Sequence, residues 1–411
     1  MPQDWPLLKV VVAGGSVGGL CAAVALRAIG CEVDVHERTT GAMAARGAGI
    51  VVQDELVRLL TFGGACELPV TSCRQRLYLL PDGGDGVAAP LPQRFTSWDA
   101  IFRTLRAAFP DEHYHSGSAL TGFEVARGRV VASFADREQE MEADLLVCAD
   151  GSRSEARRRL LPGVEPVYAG YVAWRGTVEE VRADADLVRF FDESFTFCPA
   201  RSGGHVLCYR IPGPGAAVEP GHGCLNWVWY VNVPEGPELA RLLTDRSGKA
   251  HAGSVPAGLV TDGLVRDVHE AANRELHPRF ADLVAATQDP FVQVIVDATV
   301  PRMAFGRACL LGDAAFVARP HAAAATAKAA ADAAALAKAL VADPDDPDGA
   351  LLAWEAERLE EGHALVEHAI ALGRRTVGPQ HDPSRPLAAS AREVAERFGP
   401  VARMPLQPTR H

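Results

Sequence analysis

The sequence contains no Cys-x-x-Cys pair, no apolar run of about 18 residues and no excess of basic residues. The nine cysteines are an odd number in a chain far longer than a disulfide scaffold, which favours reduced and mostly buried thiols. The lack of a long apolar run predicts no transmembrane helix, and the N-terminal MPQDWPLL lacks the basic start of a signal peptide. We therefore expect a soluble, cytoplasmic protein with no membrane partner.

Acidic residues outnumber basic residues by 52 to 41, which gives a net charge of −11. Because a nucleic-acid binder needs basic surface to neutralise phosphates, we expect no nucleic-acid partner. The length of 411 residues predicts two or three domains at roughly 150 residues each. Hydrophobic residues at 48% and charged residues at 23% are ordinary for globular chains, which excludes wholesale disorder.

The chain opens with a strand, a glycine-rich turn, a helix and a second strand, predicted at 7–13, 14–19, 20–30 and 31–38. In the turn GGSVGG, Gly14 permits a tight bend and Gly19 lets helix and strand approach closely. Ser16 replaces the glycine at which the backbone approaches a pyrophosphate, and its small side chain still fits. Free N–H groups at the helix N-terminus favour phosphate, and Glu37 suits a ribose hydroxyl pair. This pattern predicts a nucleotide site, with a purely structural turn as the alternative.

Two later motifs each follow an apolar strand: DGSRSEAR at 150–157 and LLGDAAFVARP at 310–320. Each one alone could be a turn with a capping aspartate. All three motifs in this order resemble the flavoprotein aromatic hydroxylases, the single-component FAD monooxygenases of the para-hydroxybenzoate hydroxylase type. The resemblance runs from the first strand to about residue 372.

The segment from 168 to 233 has a different residue pattern, rich in aromatic and β-branched residues. Its strand-like pieces are YAGYVAWRGTV, LVRFFDESFTFC, GHVLCYRI and LNWVWYVNV. These predict a mostly antiparallel sheet. The fold class expected is therefore α/β + β, with a Rossmann-like FAD-binding domain, an inserted antiparallel-sheet substrate domain and C-terminal helices. We assign the FAD-binding domain to 1–72, 97–165 and 300–345, the substrate domain to 73–96 and 166–299, and the C-terminal helical region to 346–411.

The resemblance implies a non-covalent FAD, with Asp313 on its ribityl chain, Asp150 near both FAD and the nicotinamide donor, and basic residues against it at Arg46 and Arg103. A solvated helix face is the alternative for Arg103. The residues implied to bind FAD are Gly14, Ser16, Val17, Gly18, Gly19, Glu37, Arg38, Arg46, Arg103, Asp150, Gly151, Gly312, Asp313, Pro320, Ala323 and Ala324. No second glycine-rich Rossmann turn occurs in the sequence, and the family has no separate nicotinamide domain, so NADH or NADPH is expected to bind transiently over the flavin.

The alanine-rich stretch at 318–340 predicts a helix because alanine has the highest helix propensity. Its N-terminus would face the flavin and stabilise negative charge there, with a plain packing helix as the alternative. Two positions depart from the family pattern: Phe316 stands where many members have histidine, and Ala325 stands where we expect glycine.

Five stretches are similar to 2,6-dihydroxypyridine 3-monooxygenases and related hydroxypyridine or hydroxynicotinate hydroxylases: ARGAGIVVQDELV, TSWDAIFRTL, YVAWRG, NWVWYVNV and GDAAFVARPHAAA. This implies hydroxylation of an electron-rich phenolic or hydroxypyridine ring with NAD(P)H and O2, through a flavin C4a-hydroperoxide, in catabolism or natural-product tailoring. The alternatives are epoxidation, Baeyer–Villiger or decarboxylating oxidation, and a non-catalytic flavin-binding sensor. A simple NAD dehydrogenase would leave both aspartate motifs unexplained. The family also implies a homodimer.

An electron-rich ring calls for a base with a pKa near neutrality, for which histidine is the natural residue. His321, beside the alanine-rich helix, is the main candidate. His205 and Tyr209 lie four apart on a predicted strand and so share one face; a half-buried sheet pair is the alternative. Phe197 and Cys198 are candidates to line the same pocket.

Two other features carry no prediction of chemistry. His113 and His115 lack nearby metal-ligand companions in the sequence, so we expect surface or structural roles. The WVWY segment at 227–230 does not complete the motif of flavin halogenases.

Overall fold

Two large β-sheets and one small sheet organise the protein in the computed structural model, which describes residues 8–41, 49–126, 128–377 and 390–398. The strands in chain order are β1 (Lys9–Ala13), β2 (Glu32–Glu37), β3 (Gly49–Val51), β4 (Thr71–Tyr78), β5 (Val87–Ser97), β6 (Tyr114–Ser116), β7 (Leu120–Ala126), β8 (Arg129–Phe134), β9 (Met141–Ala143), β10 (Leu145–Cys148), β11 (Val167–Glu179), β12 (Ser194–Pro199), β13 (His205–Ile211), β14 (Cys224–Asn232), β15 (Ser254–Val255), β16 (Phe291–Asp297), β17 (Ala304–Phe305) and β18 (Ala308–Leu310).

The helices lie on the outer faces of the sheets and at the C-terminal side. They are α1 (Val17–Ala28), α2 (Asp54–Phe62), α3 (Trp98–Ala107), α4 (Glu155–Leu160), α5 (Ala185–Phe191), α6 (Pro237–Leu242), α7 (Asp262–Glu275), α8 (Pro278–Ala285), α9 (Ala325–Ala342), α10 (Pro347–Thr376) and α11 (Ala391–Phe398). Short 3-10 turns at Gly312–Ala314 and Pro320–Ala322 precede α9. No helix in the described ranges is long and apolar enough to cross a membrane.

The six-stranded sheet has the order β17-β18-β10-β1-β2-β6, and its five strands from β18 to β6 run parallel. Strand β1 is a run of buried valines, with α1 packed against it and strand β8 of the small sheet packed against its neighbour β10. Ala13 pairs with Cys148, and Cys148 pairs with Leu310. The three motifs that follow these strands therefore meet at one edge, at the carboxyl ends where open α/β sheets bind ligands.

The nine-stranded sheet has the order β15-β16-β11-β14-β13-β12-β4-β5-β3 and is antiparallel except where β4 meets β12. Alternate residues of its strands face opposite sides. One face buries Trp174, Trp227 and Trp229 in a core shared with α5, α7 and α8. The other face carries Tyr171 and Tyr230 and is left for the site.

This architecture is the predicted fold class, with two local differences. The segment at 187–191, predicted as strand-like, lies in α5, because Asp184 caps the helix and Leu187 and Phe191 bury one apolar face. Strand β3 falls in the segment that we assigned to the FAD-binding domain, yet it pairs with β5 of the nine-stranded sheet. The small third sheet, β7-β8-β9, is an antiparallel meander.

Candidate active site

A cavity of about 1360 Å³ is lined from both large sheets. It exceeds the ~300–1,000 Å³ of an ordinary small-molecule pocket, so it has room for a dinucleotide together with a substrate. We call the part lined by Ser16, Gly151 and Asp313 the nucleotide end, and the part lined by Tyr230 and His321 the ring end.

The glycine turn at the nucleotide end is held by close backbone packing. Gly14 has a φ of +105°, and a Cβ on Gly19 would overlap the Gly14 carbonyl. The Glu37 carboxylate accepts hydrogen bonds from the backbone N–H groups of Gly15, at 2.8 Å, and Thr39, at 2.9 Å. Glu37 therefore braces the turn and does not itself line the cavity.

Helix α1 presents an uncapped N-terminus to the cavity. Ser16 makes no side-chain capping bond, and the first turn has no acidic residue. Ser16, Val17 and Gly18 all line the cavity. The unpaired N–H groups and the positive end of the helix dipole suit a phosphate.

Asp150 combines a capping role with an unused oxygen. Its Oδ2 accepts the N–H groups of Glu155, at 2.7 Å, and Ala156, at 3.2 Å. Its Oδ1 is buried without a hydrogen-bond partner among the described residues. A buried carboxylate oxygen without a partner is unfavourable, and a polyol or amide donor from a ligand would satisfy it. Asp150 does not itself line the cavity, but its neighbours Ala149 and Gly151 do.

Arg157 ties the two aspartate motifs together, a role that sequence reasoning missed. The side chain is fully buried and donates to the Ser152 carbonyl at 2.6 Å and to the Ala314 carbonyl at 3.0 Å. The signal was present as the arginine that ends the DGSRSEAR motif.

A buried charge network holds the second aspartate motif. Lys328 donates to the Gly312 carbonyl and to Asp332, each at 2.9 Å, and Arg358 donates to Asp332 at 2.8 Å. Burial opposes ionisation of Asp332, but Lys328 and Arg358 hold its pKa below the usual value. Burial raises the pKa of Asp313, which Lys328 partly offsets. None of Lys328, Asp332 and Arg358 was predicted from the sequence.

The N-terminus of α9 also faces the cavity. Pro320, Ala323 and Ala324 line it, and α9 begins at Ala325 without a side-chain cap. Ala323 has a φ of +50°, a left-handed conformation that costs a non-glycine residue energy. Two helix N-termini, of α1 and α9, therefore place positive potential on one cavity.

The ring end brings together the three residues predicted to be catalytic. His205 and Tyr209 lie on the cavity face of β13, and His321 comes from the turn before α9. The His321 ring lies 4.4 Å from Tyr230 and 5.6 Å from His205, centroid to centroid. Tyr209 stacks on Phe95 at 4.5 Å.

His321 is a neutral imidazole with a defined tautomer. The Thr376 hydroxyl donates to the Leu372 carbonyl at 2.9 Å, so at 3.5 Å from His321 Nδ1 it can only accept. Nε2 then accepts from the Tyr171 hydroxyl at 2.9 Å. Burial, with the nearby cations Arg319 and Arg175, lowers the pKa of His321 to about 3. The expectation of a base with a pKa near neutrality is therefore wrong for this side chain.

Several other predicted residues lie away from the cavity. Cys198 faces the opposite side of the sheet from Phe197, because neighbours on a strand alternate, and only Phe197 lines the cavity. Phe316 packs on Gly362 in the core. Residues outside the cavity lining include Arg38, which is exposed, and Arg103, which pairs with Asp99 at 2.8 Å; Arg46 lies outside the described residues.

His113 and His115 each bond Asp34 at 3.1 Å. Within the described part of the chain, no group of three or more His, Cys, Asp or Glu side chains is placed to hold a metal ion.

These features fit FAD: two uncapped helix N-termini for the pyrophosphate and the flavin, an orphan carboxylate oxygen at Asp150 and a buried carboxyl at Asp313. Fold and cavity define a nucleotide-binding flavoprotein. A model of the family described as FAD binding domain-like matches residues 168–297.

The relatives narrow this class. The chain is 38% identical over 93% of its length, and 95% of the relative, to 2,6-dihydroxypyridine 3-monooxygenase of Paenarthrobacter nicotinovorans. The structure of 2,6-dihydroxypyridine-3-hydroxylase from Arthrobacter nicotinovorans superposes with a TM-score of 0.85 at 37% identity, covering 93% of this chain and 96% of that one. Klebsiella pneumoniae HpxO complexed with FAD and uric acid shares the fold, at 24% identity, 95% and 93% coverage and a TM-score of 0.72.

The chain belongs to the flavoprotein aromatic hydroxylases, the single-component FAD monooxygenases. It is an oxidoreductase that binds FAD and uses NAD(P)H and O2, as predicted. The alternative functions, namely epoxidation, Baeyer–Villiger or decarboxylating oxidation and a non-catalytic sensor, are not favoured.

Proposed function

We propose that the protein hydroxylates a hydroxypyridine, or a similarly electron-rich phenolic ring, held at the ring end of the cavity. The observation that carries this proposal is the continuity of one cavity from the helix N-termini to the cluster of His205, Tyr230 and His321. The similarity to an enzyme named for 2,6-dihydroxypyridine supports the ring class.

In this proposal the nucleotide end holds FAD. The N–H groups of Val17 and Gly18 bind its pyrophosphate, Asp313 accepts hydroxyl groups of its ribityl chain, and Asp150 receives a donor at its orphan Oδ1. The bound cofactor supplies electrons from NAD(P)H and activates O2 for insertion of one oxygen atom into the ring. The N-terminus of α9 stabilises negative charge that develops beside it.

The ring end excludes water and orients the groups that face the ring. Phe195, Phe197 and Phe398 line it and give it apolar walls, and a dry site strengthens each electrostatic contact inside. The Tyr171 hydroxyl donates to Nε2 of neutral His321 and so fixes the orientation of the imidazole that faces the substrate. Tyr171 is the outer member of this pair, because His321 lines the cavity and Tyr171 is absent from its lining.

A substrate screen tests the proposal. The FAD-loaded enzyme is offered hydroxypyridines and phenols, and NADH or NADPH consumption is followed together with peroxide release. We expect stimulated consumption with little peroxide, and one labelled oxygen atom in the product made under labelled O2. Consumption that yields only peroxide with every hydroxypyridine and phenol would contradict the proposed ring class.

The proposal includes a cytoplasmic location, because the reaction draws on NADH or NADPH, and a homodimer. Light scattering on the eluted holoenzyme checks the oligomeric state. A monomeric mass would contradict the proposed dimer and would leave the proposed hydroxylation unaffected.

A further inference from the structure

Arg175 is a buried cation at the ring end that the proposed mechanism does not use. It lies on β11 between Trp174 and Gly176, lines the cavity, and is only 9% exposed. Its Nε is buried without a hydrogen-bond partner among the described residues. It forms no ion pair with any carboxylate of that part of the chain.

The neighbours of Arg175 do not neutralise it. Its charge acts on Tyr209, Tyr230 and His321. Burial raises the pKa of Tyr230 to about 12 and raises that of Tyr209 further, so both phenols stay neutral despite the guanidinium. His321 carries no negative charge in any state. The guanidinium therefore faces the cavity without a counter-ion.

A buried guanidinium without a counter-ion is unfavourable unless a ligand supplies the missing negative charge and hydrogen-bond acceptors. An ionised side chain removed from water is unfavourable until it is paired and hydrogen-bonded. Arginine offers a planar fork of donors that matches a carboxylate or a delocalised oxyanion. Two other cations near the ring end already have partners. Arg319 forms a bidentate pair with Asp297, at 2.7 to 3.0 Å, and Arg76 donates to the Gln93 side chain at 3.0 Å and to the Phe398 carbonyl at 3.2 Å.

We propose that Arg175 binds an anionic oxygen of the aromatic substrate, so that the enzyme selects rings carrying a carboxylate or an ionised ring hydroxyl. This inference rests on the proposed function, because it places the substrate at the ring end. An ionised ring oxygen bound there is also the electron-rich form that an electrophilic oxygen attacks. The positive charge of Arg175 then favours the ionised form of the ring hydroxyl. His321, whose pKa is low, cannot favour that form by accepting the proton.

Binding titrations of the oxidised, FAD-loaded enzyme test the inference without turnover. Two matched pairs separate the sources of the anion: benzoate against benzamide for a carboxylate, and 2,6-dihydroxypyridine against 2,6-dimethoxypyridine for a ring oxygen. The variants are Arg175→Gln, Arg175→Lys and, as a surface control of the same chemical change, Arg189→Gln, whose partner Asp186 is exposed on α5. FAD affinity and thermal melting are measured on each variant.

Arg175→Gln is expected to weaken one anionic probe at least about 30-fold and its neutral analogue by less than about threefold. Arg175→Lys keeps the charge but loses the fork and falls between; Arg189→Gln binds like the wild type. The inference is overturned if no anionic probe binds, if anion and neutral analogue weaken together, or if Arg175→Gln lowers FAD affinity while anion affinity stays unchanged. Hydroxylation of 2,6-dihydroxypyridine by the wild type, measured separately, bears on the proposed function alone.

Discussion

The two ends of the cavity are built from different parts of the chain. The nucleotide end is formed mainly by backbone: the N-termini of α1 and α9 and a glycine turn packed against its neighbours. At the ring end the cavity is lined by side chains on separate strands, with Arg175 on β11, His205 and Tyr209 on β13 and Tyr230 on β14.

This difference has a physical consequence. In a site built from backbone, an added side-chain atom clashes wherever two backbone segments are in contact. Most side-chain changes elsewhere leave such a site intact. A side-chain site can change its ligand by single substitutions while the sheet beneath it stays the same. We therefore expect mutations at the nucleotide end to act on stability and FAD binding, and those at the ring end to act on turnover and selectivity.

The largest effect is expected from Gly19→Ala. The new Cβ would overlap the Gly14 carbonyl, so the turn must move, at a cost of more than about 4 kcal/mol in the free energy of unfolding. Gly18→Ala is the matched control, because its Cβ would meet only the Ala329 Cβ at 3.8 Å. Urea unfolding of the two apoproteins measures the difference. Equal stabilities would show that backbone contact does not hold this end.

Asp332→Asn should rank next, at about 3–5 kcal/mol of destabilisation, since it leaves Lys328 and Arg358 buried without their shared anion. Weaker FAD binding should accompany it, because Lys328 holds the Gly312 carbonyl. Asp186→Asn, which breaks an exposed pair on α5, provides the control and should change stability by no more than about 1 kcal/mol. Both values come from denaturant unfolding.

At the ring end, His321→Ala should lower kcat by about 100-fold while FAD affinity stays near that of the wild type. Tyr171→Phe removes only the hydroxyl that bonds Nε2, and it should reproduce most of that loss. Steady-state kinetics and flavin fluorescence titration separate the two quantities. Wild-type turnover in both variants would remove the pair from the mechanism, and a parallel loss of FAD would show that the ends are not independent.

The smallest effect concerns pH and two histidines: His36, which is buried on β2, and His321 at the ring end. Burial, with smaller effects of His115 and Arg137, lowers the pKa of His36 to about 4, and that of His321 is about 3, both below the usual 6.5. Between these low pKa values and 6.5, the unfolded chain binds more protons than the folded protein. The stability that the two histidines contribute is therefore present above pH ~6.5 and declines as the pH falls below it. From pH 7 to 5 each histidine should cost about 2 kcal/mol.

Urea unfolding at the two pH values measures this loss. His36→Gln should remove about half of the decline and leave the ring end unchanged. A decline as steep as that of the wild type would contradict the assignment to His36.

Much of the nucleotide end was predictable because its determinants are local. A glycine turn between a strand and a helix, and an aspartate directly after each of two apolar strands, can be recognised without knowing what they touch. Even there, the prediction for Glu37 was incomplete. Its position suits a ribose, but in the structure its carboxylate accepts hydrogen bonds from the N–H groups of Gly15 and Thr39.

The ring end was predictable only in part. The spacing of residues along a strand predicts which of them share a face of the sheet, but not which residues of other elements they contact. The even spacing of His205 and Tyr209 placed both on one face, whereas the adjacent Phe197 and Cys198 could not share one. Nothing local marked Tyr171 as the partner of His321, which is 150 residues away. Phe398, from α11, reaches the same pocket from near the C-terminal end of the chain.

By itself the sequence determined the class of the protein, the strand–turn–helix unit and the three motifs, since backbone geometry of this kind is specified by a few consecutive residues. Tertiary structure alone decided the electrostatics of the site. The low pKa of His321, the neutrality of Tyr230 and the unpaired charge of Arg175 follow from burial among groups brought together from distant strands. Desolvation depends on what surrounds a side chain, and that is set only when the sheets close over the cavity.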